Sequence, residues 1–295
     1  MAILIDPPRW PAHGTLFSHL VSDESLAELH AFAADAGLSP KAFDHDHYDV
    51  PERLFRELTA RGALAVSGTQ LVRRLLDSGL RVHAQDRTPK RAAVVPQLRG
   101  RWAGLLPEHA DLGTELLERW GEPHRHYHDV RHLAQILDAL EELGCDDPLV
   151  HLAAWFHDAV YVGQPGDDER GSARLADSRL EGILSAADRA EVVRLVLLTE
   201  SHAAAPGDVR GALLCDADLS ILGMPPARYS IYARDVRIDY EQIPERLYRS
   251  GRLQVLETLS ERDPLFSTDL GRRLWDAQAR ENLAGEIAFH RRAPR

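Results

Sequence analysis

Apolar and polar positions follow two different rhythms along the chain. Up to about residue 84, short strand-like runs alternate with helix-like ones. Ala2–Ile5 is a brief apolar run stopped by Asp6-Pro7-Pro8. Ser25–Ala36 carries apolar residues at helical spacing and ends at Gly37. Lys41–Val50 alternates in the manner of a strand, and Pro51–Arg61 reads as a helix with proline in its first turn and Gly62 after it. Ala63–Ser67 is an apolar strand candidate, Thr69–Ser78 a further helix and Leu80–Ala84 a last strand. Strands alternating with helices predict a small α/β unit with a mainly parallel sheet.

From His83 to about Leu106 the rhythm breaks. Two prolines and a cluster of basic residues predict a linker over 85–107. Beyond Ala110 the spacing is helical throughout, and no strand pattern competes. Helices are predicted over Leu112–Trp120, His126–Leu143, Pro148–Tyr161, Asp168–Leu184 and Ala187–His202, and then over Val209–Leu222, Ala227–Gln242, Pro244–Arg262 and Leu270–His290. Val130, Leu133, Leu137 and Leu140 show the pattern most clearly, and Gly144 closes that helix. The expected architecture is an α+β two-domain chain, with a small α/β domain over 1–84 and an all-α domain over 108–295.

Composition narrows the picture in two respects. A formal charge of −11 argues against general nucleic-acid binding, although it leaves phosphorylated substrates open, because a bound cation reverses the local field. The two cysteines, Cys145 and Cys215, form no CxxC pair, and the simplest expectation is a reducing cytoplasm. The first residues, MAILIDPPRWP, lack the pattern of a signal peptide, and no apolar run reaches membrane-spanning length. Homodimer formation is left open.

Histidine placement is more informative. Six of the fifteen histidines lie between Gly121 and Val160. His128 and His132 are four apart, so on a helix they would share a face, though solvated or capping histidines would look the same. His157-Asp158 sits inside the apolar run Trp155–Val160. Burying such a pair is costly unless something compensates, and a metal ion or a capping role for the aspartate would each do so. Asp216 and Asp218 also sit in an apolar helical run; two apart, they cannot both face one site, so one would point inward while the other caps or orients. Two imidazoles and two carboxylates suit manganese, iron, nickel, zinc or magnesium better than a thiolate-seeking metal.

The ordered pattern His … His-Asp … Asp on helices resembles the HD superfamily of metal-dependent phosphohydrolases. Tyr127-His128-x-x-x-His132 is also similar to the opening motif of its cyclic-nucleotide phosphodiesterase branch. A closer likeness is to uncharacterised bacterial HD phosphohydrolases, through Pro123–His128, Ala153–Tyr161, Asp168–Ala173, Thr199–His202, Asp216–Gly223, Gly251-Arg252 and Ala279–Asn282. The resemblance spans roughly residues 110–290.

It implies that His132, His157, Asp158 and Asp218 hold a divalent metal, with His202 serving a second ion or a substrate phosphate. It further implies that His128 is the general acid, that Asp158 belongs to the catalytic set, and that Glu169 acts as a base or orients water. Arg237, Arg252 and Arg280 are candidates for clamping phosphate, since guanidinium matches phosphate geometry. The expected activity is metal-assisted hydrolysis of a small phosphorylated substrate, such as a nucleotide. A non-catalytic nucleotide-binding sensor and a di-iron oxygenase are the competing readings.

The first domain resembles a short bacterial family of unknown function, through the opening ILIDPPRWP, the Ser18-His19-Leu20 element and the string Asp46–Pro51. That resemblance implies no activity. If Lys41–Val50 were one strand, His45, His47 and Asp49 would share a face; a polar strand end with capping aspartates is the alternative.

Overall fold

The computed structural model describes residues 2–82, 87–164 and 166–292. Its first part is a sheet flanked by helices. β1 (Ile3–Ile5), β2 (Trp10–Ala12) and β3 (Thr15–Ser22) precede α1 (Leu26–Asp35). The hairpin β4 (Phe43–Asp44) and β5 (His47–Pro51) follows, then α2 (Glu52–Ala60), β6 (Leu64–Ala65) and α3 (Gly68–Asp77). The strand order is β4-β5-β3-β1-β6, with β2 pairing with β3.

The α/β character agrees with the sequence, but the strand directions differ from the expectation. Among the described residues only β1 and β6 pair in parallel, and the other pairs are antiparallel. The alternation of Lys41–Val50 concealed a two-residue turn at His45-Asp46, where His45 adopts φ 60°; so short a link permits only an antiparallel return. β2 and β3 were not foreseen, because their polar positions mask the period. Leu80–Val82 forms no strand, and the rest of the expected last strand, His83 and Ala84, lies outside the described residues.

β1 is buried on both faces. Ile3 and Ile5 join Leu20, Leu29, Phe43 and Leu58 in one core, while Leu4 joins Val21, Leu71 and Leu75 beneath α3. Such continuous burial explains why its three residues are apolar without alternation.

The second part is helical: α4 (Arg91–Leu105), α5 (Ala110–Trp120), α6 (Val130–Glu142), α7 (Pro148–Phe156), α8 (Asp167–Leu180), α9 (Ala186–Leu198) and α10 (Val209–Leu219) are followed by α11 (Pro226–Asp239), α12 (Glu245–Ser260), α13 (Asp269–Gly271), a π-helical turn and α14 (Ala277–Arg292). The segment read as a linker carries α4. Val94, Leu98 and Trp102, spaced by four, are buried in the same core as α5 to α7. The basic residues around this stripe concealed it, and Pro96 lies within the helix. Trp102 donates from Nε1 to the His109 carbonyl at 2.8 Å. It packs against Gly113, where an added Cβ would lie 2.2 Å from the indole.

α11 joins the two parts. Its Ile231 is buried in the core beneath the sheet, and Arg234 donates from Nη1 to the Phe43 carbonyl at 2.5 Å. Among the described residues no helix is long and apolar enough to cross a membrane.

Candidate metal centre

The candidate ligands stand at helix ends, and local capping explains where those ends fall. Asp129 caps α6, its carboxylate accepting the Arg131 amide at 2.7 Å. His128 therefore lies in the preceding turn and does not share a helix with His132, as the four-residue spacing had suggested. The fold nevertheless brings their rings to 5.7 Å between centroids. α7 stops at Phe156, so His157 is its C-terminal cap and Asp158 follows in the turn. α9 stops at Leu198, earlier than expected, and His202 lies beyond it with φ 49°.

Arg125, fully buried, ties the first two donor segments together. Its guanidinium donates to the carbonyls of Asp158 at 2.7 Å, His128 at 3.2 Å and Ala159 at 3.3 Å, and to the Glu122 carboxylate at 3.0 Å. It thereby satisfies carbonyls in the turn that follows α7 and in the turn that precedes α6. On α10 the two carboxylates diverge as an i, i+2 pair must. Asp216 accepts from the amides of Ser267 and Thr268 and from the Thr268 hydroxyl, each at 2.7 Å. Asp218 turns to the histidines.

Four donors form a closed ring. His132 Nε2 lies 3.1 Å from Asp218 Oδ1, which lies 3.8 Å from His157 Nε2. His157 Nε2 is 3.2 Å from Asp158 Oδ2, which is 3.8 Å from His132 Nε2. Adjacent ligands around one ion with bonds of ~2.1 Å stand roughly 3.0–3.4 Å apart; His132, His157 and Asp218 each offer a donor atom within 4.8 Å of the other two, and Asp158 joins them through the two histidines. His202 Nε2 approaches the other oxygen of Asp218 at 2.7 Å.

The electrostatics point the same way. His157 Nδ1 is 2.9 Å from the Ala154 carbonyl. A carbonyl only accepts, so Nδ1 carries the proton and Nε2 is the nitrogen offered to the ring of donors. That Nε2 is buried and faces Asp158 Oδ2 at 3.2 Å. Burial opposes charge on His157, yet Asp158 and Asp218 outweigh it and push the imidazole up to about 9. Burial likewise works against both carboxylates, but the surrounding histidines hold Asp158 and Asp218 well below the usual range. Two buried anions facing imidazoles call for positive charge between them, which either a protonated His157 or a divalent ion would supply.

The ring forms the floor of a cavity of about 440 Å³. Its walls include Tyr127, Tyr232, Tyr240 and Tyr248 together with aliphatic residues of α12. His128 lines it, and its Nδ1 is 2.9 Å from Asp239 Oδ2. Asp239 also accepts the amides of His126 at 2.5 Å, Tyr127 at 3.2 Å and His128 at 3.4 Å. Burial would raise the Asp239 carboxyl, but these bonds hold it below its usual value.

Glu169 stands at the rim, accepting the Gly166 amide at 2.5 Å. Burial raises its pKa. Arg252 reaches the wall but is buried against Glu286 at 2.8 Å and the Tyr232 hydroxyl at 3.0 Å. Arg237 is paired with Glu245 at 2.9 Å and donates to the carbonyls of Tyr240 and Ile243. Arg280 is paired with Asp276 at 2.7 Å. Neither Arg237 nor Arg280 lines the cavity.

Sequence reading therefore missed Asp239 and Arg125 as supporting residues. Arg125 stood inside the Pro123–His128 string, where a buried arginine cannot be told from an exposed one. Asp239 carried no signal, since its partners are 78 to 113 positions away.

Residues 3–78 match the model of a family described as "Protein of unknown function (DUF4031)". The matched segment covers the sheet and α1 to α3, and stops short of the helical part. No curated protein and no solved structure matches the chain.

Proposed function

We propose that the helical part is a metal-dependent hydrolase of small phosphate esters. The observation that carries this reading is the convergence of His132, His157, Asp158 and Asp218, from three separate helices or their ends, on the floor of one cavity. The order of those residues along the chain, with its resemblance to HD phosphohydrolases, supports it.

The mixed nitrogen and oxygen donors suit manganese, iron, nickel, zinc or magnesium. His202 beside the second oxygen of Asp218 gives a further ion its first ligand pair. When bound, a divalent ion supplies an activated water and neutralises phosphoryl charge.

The protein's own groups would do the rest. His128, held through Nδ1 by Asp239, turns its other nitrogen to the cavity and donates a proton to the departing oxygen. Glu169 orients the attacking water or receives its proton. The tyrosine-rich wall accepts the body of the ester, and its ring faces suit a nucleobase. Glu286 already balances Arg252, which leaves that guanidinium less free to clamp a phosphate.

The test uses metal-stripped protein, with each of the five metals restored in turn, against nucleotides, cyclic nucleotides and generic phosphoesters. Turnover that requires metal and vanishes in Asp158→Ala is the expected result. Turnover that survives Asp158→Ala, or tight nucleotide binding without turnover under every metal, overturns the proposal; the latter would favour a sensor.

A further inference from the structure

The sheet carries a second convergence of imidazole and carboxylate, remote in sequence from the first. β3 and β5 pair so that His19 stands opposite Asp49. Directly opposed residues share a face of the sheet, and His47, two positions before Asp49, shares it too. The rings of His19 and His47 are 5.0 Å apart between centroids. His45, expected on this face, is instead in the turn, its Nε2 accepting the Thr88 amide at 2.9 Å.

Each imidazole is held from behind by a buried carboxylate. His19 Nδ1 is 3.1 Å from Asp6 Oδ2, while Asp6 Oδ1 accepts the His19 amide at 2.6 Å. His47 Nδ1 is 2.7 Å from Asp46 Oδ1, while Asp46 Oδ2 accepts the Val82 amide at 2.8 Å and Arg81 Nη1 at 3.3 Å. An ionised carboxylate only accepts, so each Nδ1 carries a proton and each Nε2 is the nitrogen left to bind. His47 Nε2 is 3.5 Å from Asp49 Oδ1. One donor atom from each of His19, His47 and Asp49 lies within 4.8 Å of the other two. Around a tetrahedral ion with bonds of ~2.1 Å, ligands stand roughly 3.4 Å apart.

We propose that His19, His47 and Asp49 form a three-ligand site for a divalent transition-metal ion of the zinc type, with a remaining position open to water or an anionic ligand. Histidines that ligate metals characteristically donate their other ring nitrogen to a carboxylate, and here both do. The Asp49 side chain is 48% exposed, so the site opens to solvent. Trp10, 56% exposed, stands 5.3 Å from the His19 ring and forms one wall. The competing arrangement is an ion-pair network without metal: Asp46 and Asp49 push His47 up to about 9 against its burial.

Zinc titration of the metal-stripped full-length protein, followed by calorimetry, decides between them, with cobalt as a spectroscopic substitute. The parent protein is expected to bind one more equivalent of zinc than Asp49→Asn or His19→Ala. Cobalt bound at this site should give a visible absorption band absent from both variants. Asp6→Asn should retain the site with affinity lowered by roughly 10–100-fold. Asp49→Asn changes a half-exposed side chain without changing its size, and matched thermal melts of parent and variant establish its folding. Equal zinc stoichiometry and equal cobalt spectra in parent, Asp49→Asn and His19→Ala would overturn the proposal and leave the ion-pair network. Because Asp158 and Asp218 are intact in all these proteins, this outcome is independent of the phosphohydrolase reading.

Discussion

The two donor clusters are positioned by different means. In the helical part the donors come from helix ends far apart in sequence, and tertiary contacts fix two of the segments around them: Arg125 ties the His128 and Asp158 segments, and Asp239 orients His128. In the sheet the donors come from two neighbouring strands, and register alone places His19 opposite Asp49. His132 and His157 are almost completely buried, whereas Asp49 is half in solvent. A buried cluster must have its charge balanced from within and depends on packing all around it. A strand-face cluster can exchange charge with water, and the register of the sheet sets the spacing of its donors.

The comparison can be broken or sharpened by substitution. The largest effect is expected at His128. His128→Ala should lower kcat by ~10²–10⁴-fold while metal content stays at the parent value. Loss of metal together with activity would instead make His128 a ligand. Next is Arg125→Ala. It leaves three carbonyls without their donor, each costing about 1–3 kcal/mol, so urea unfolding should show a loss of ~3 kcal/mol or more. A stability equal to the parent's would show that the two donor segments hold their positions without it. Asp239→Asn, nearly equal in volume, should cost roughly 10–100-fold in turnover, with metal content and unfolding midpoint little changed. An unaltered rate would remove Asp239 from the account. None of these three changes should alter metal binding on the sheet.

How far the sequence was legible follows the same division. His157-Asp158 stood out because the pair interrupts an apolar run, and burial makes such an interruption costly without compensation. The divergence of Asp216 and Asp218 was readable from helical geometry alone. His128 was placed on the wrong side of a helix start, because spacing cannot show that Asp129 caps α6. α4 was read as a linker because proline and basic residues outweighed a stripe of only three apolar positions. In the sheet, β3 was missed altogether, and with it the partnership of His19 with Asp49. Cross-strand neighbours leave no periodic trace in sequence, and the turn at His45-Asp46 reversed a run that read as one strand. The α/β-then-helical division survived these errors because it rests on many residues, whereas strand direction rests on one or two turns.

The most direct test of the central claim is an anomalous-scattering map from crystals of the full-length protein grown with manganese. The account predicts a peak about 2.0–2.3 Å from Nε2 of His132, Nε2 of His157 and carboxylate oxygens of Asp158 and Asp218. A map with no peak there, and with His157 Nε2 donating directly to Asp158, would contradict it and make the cluster a buried ion-pair network.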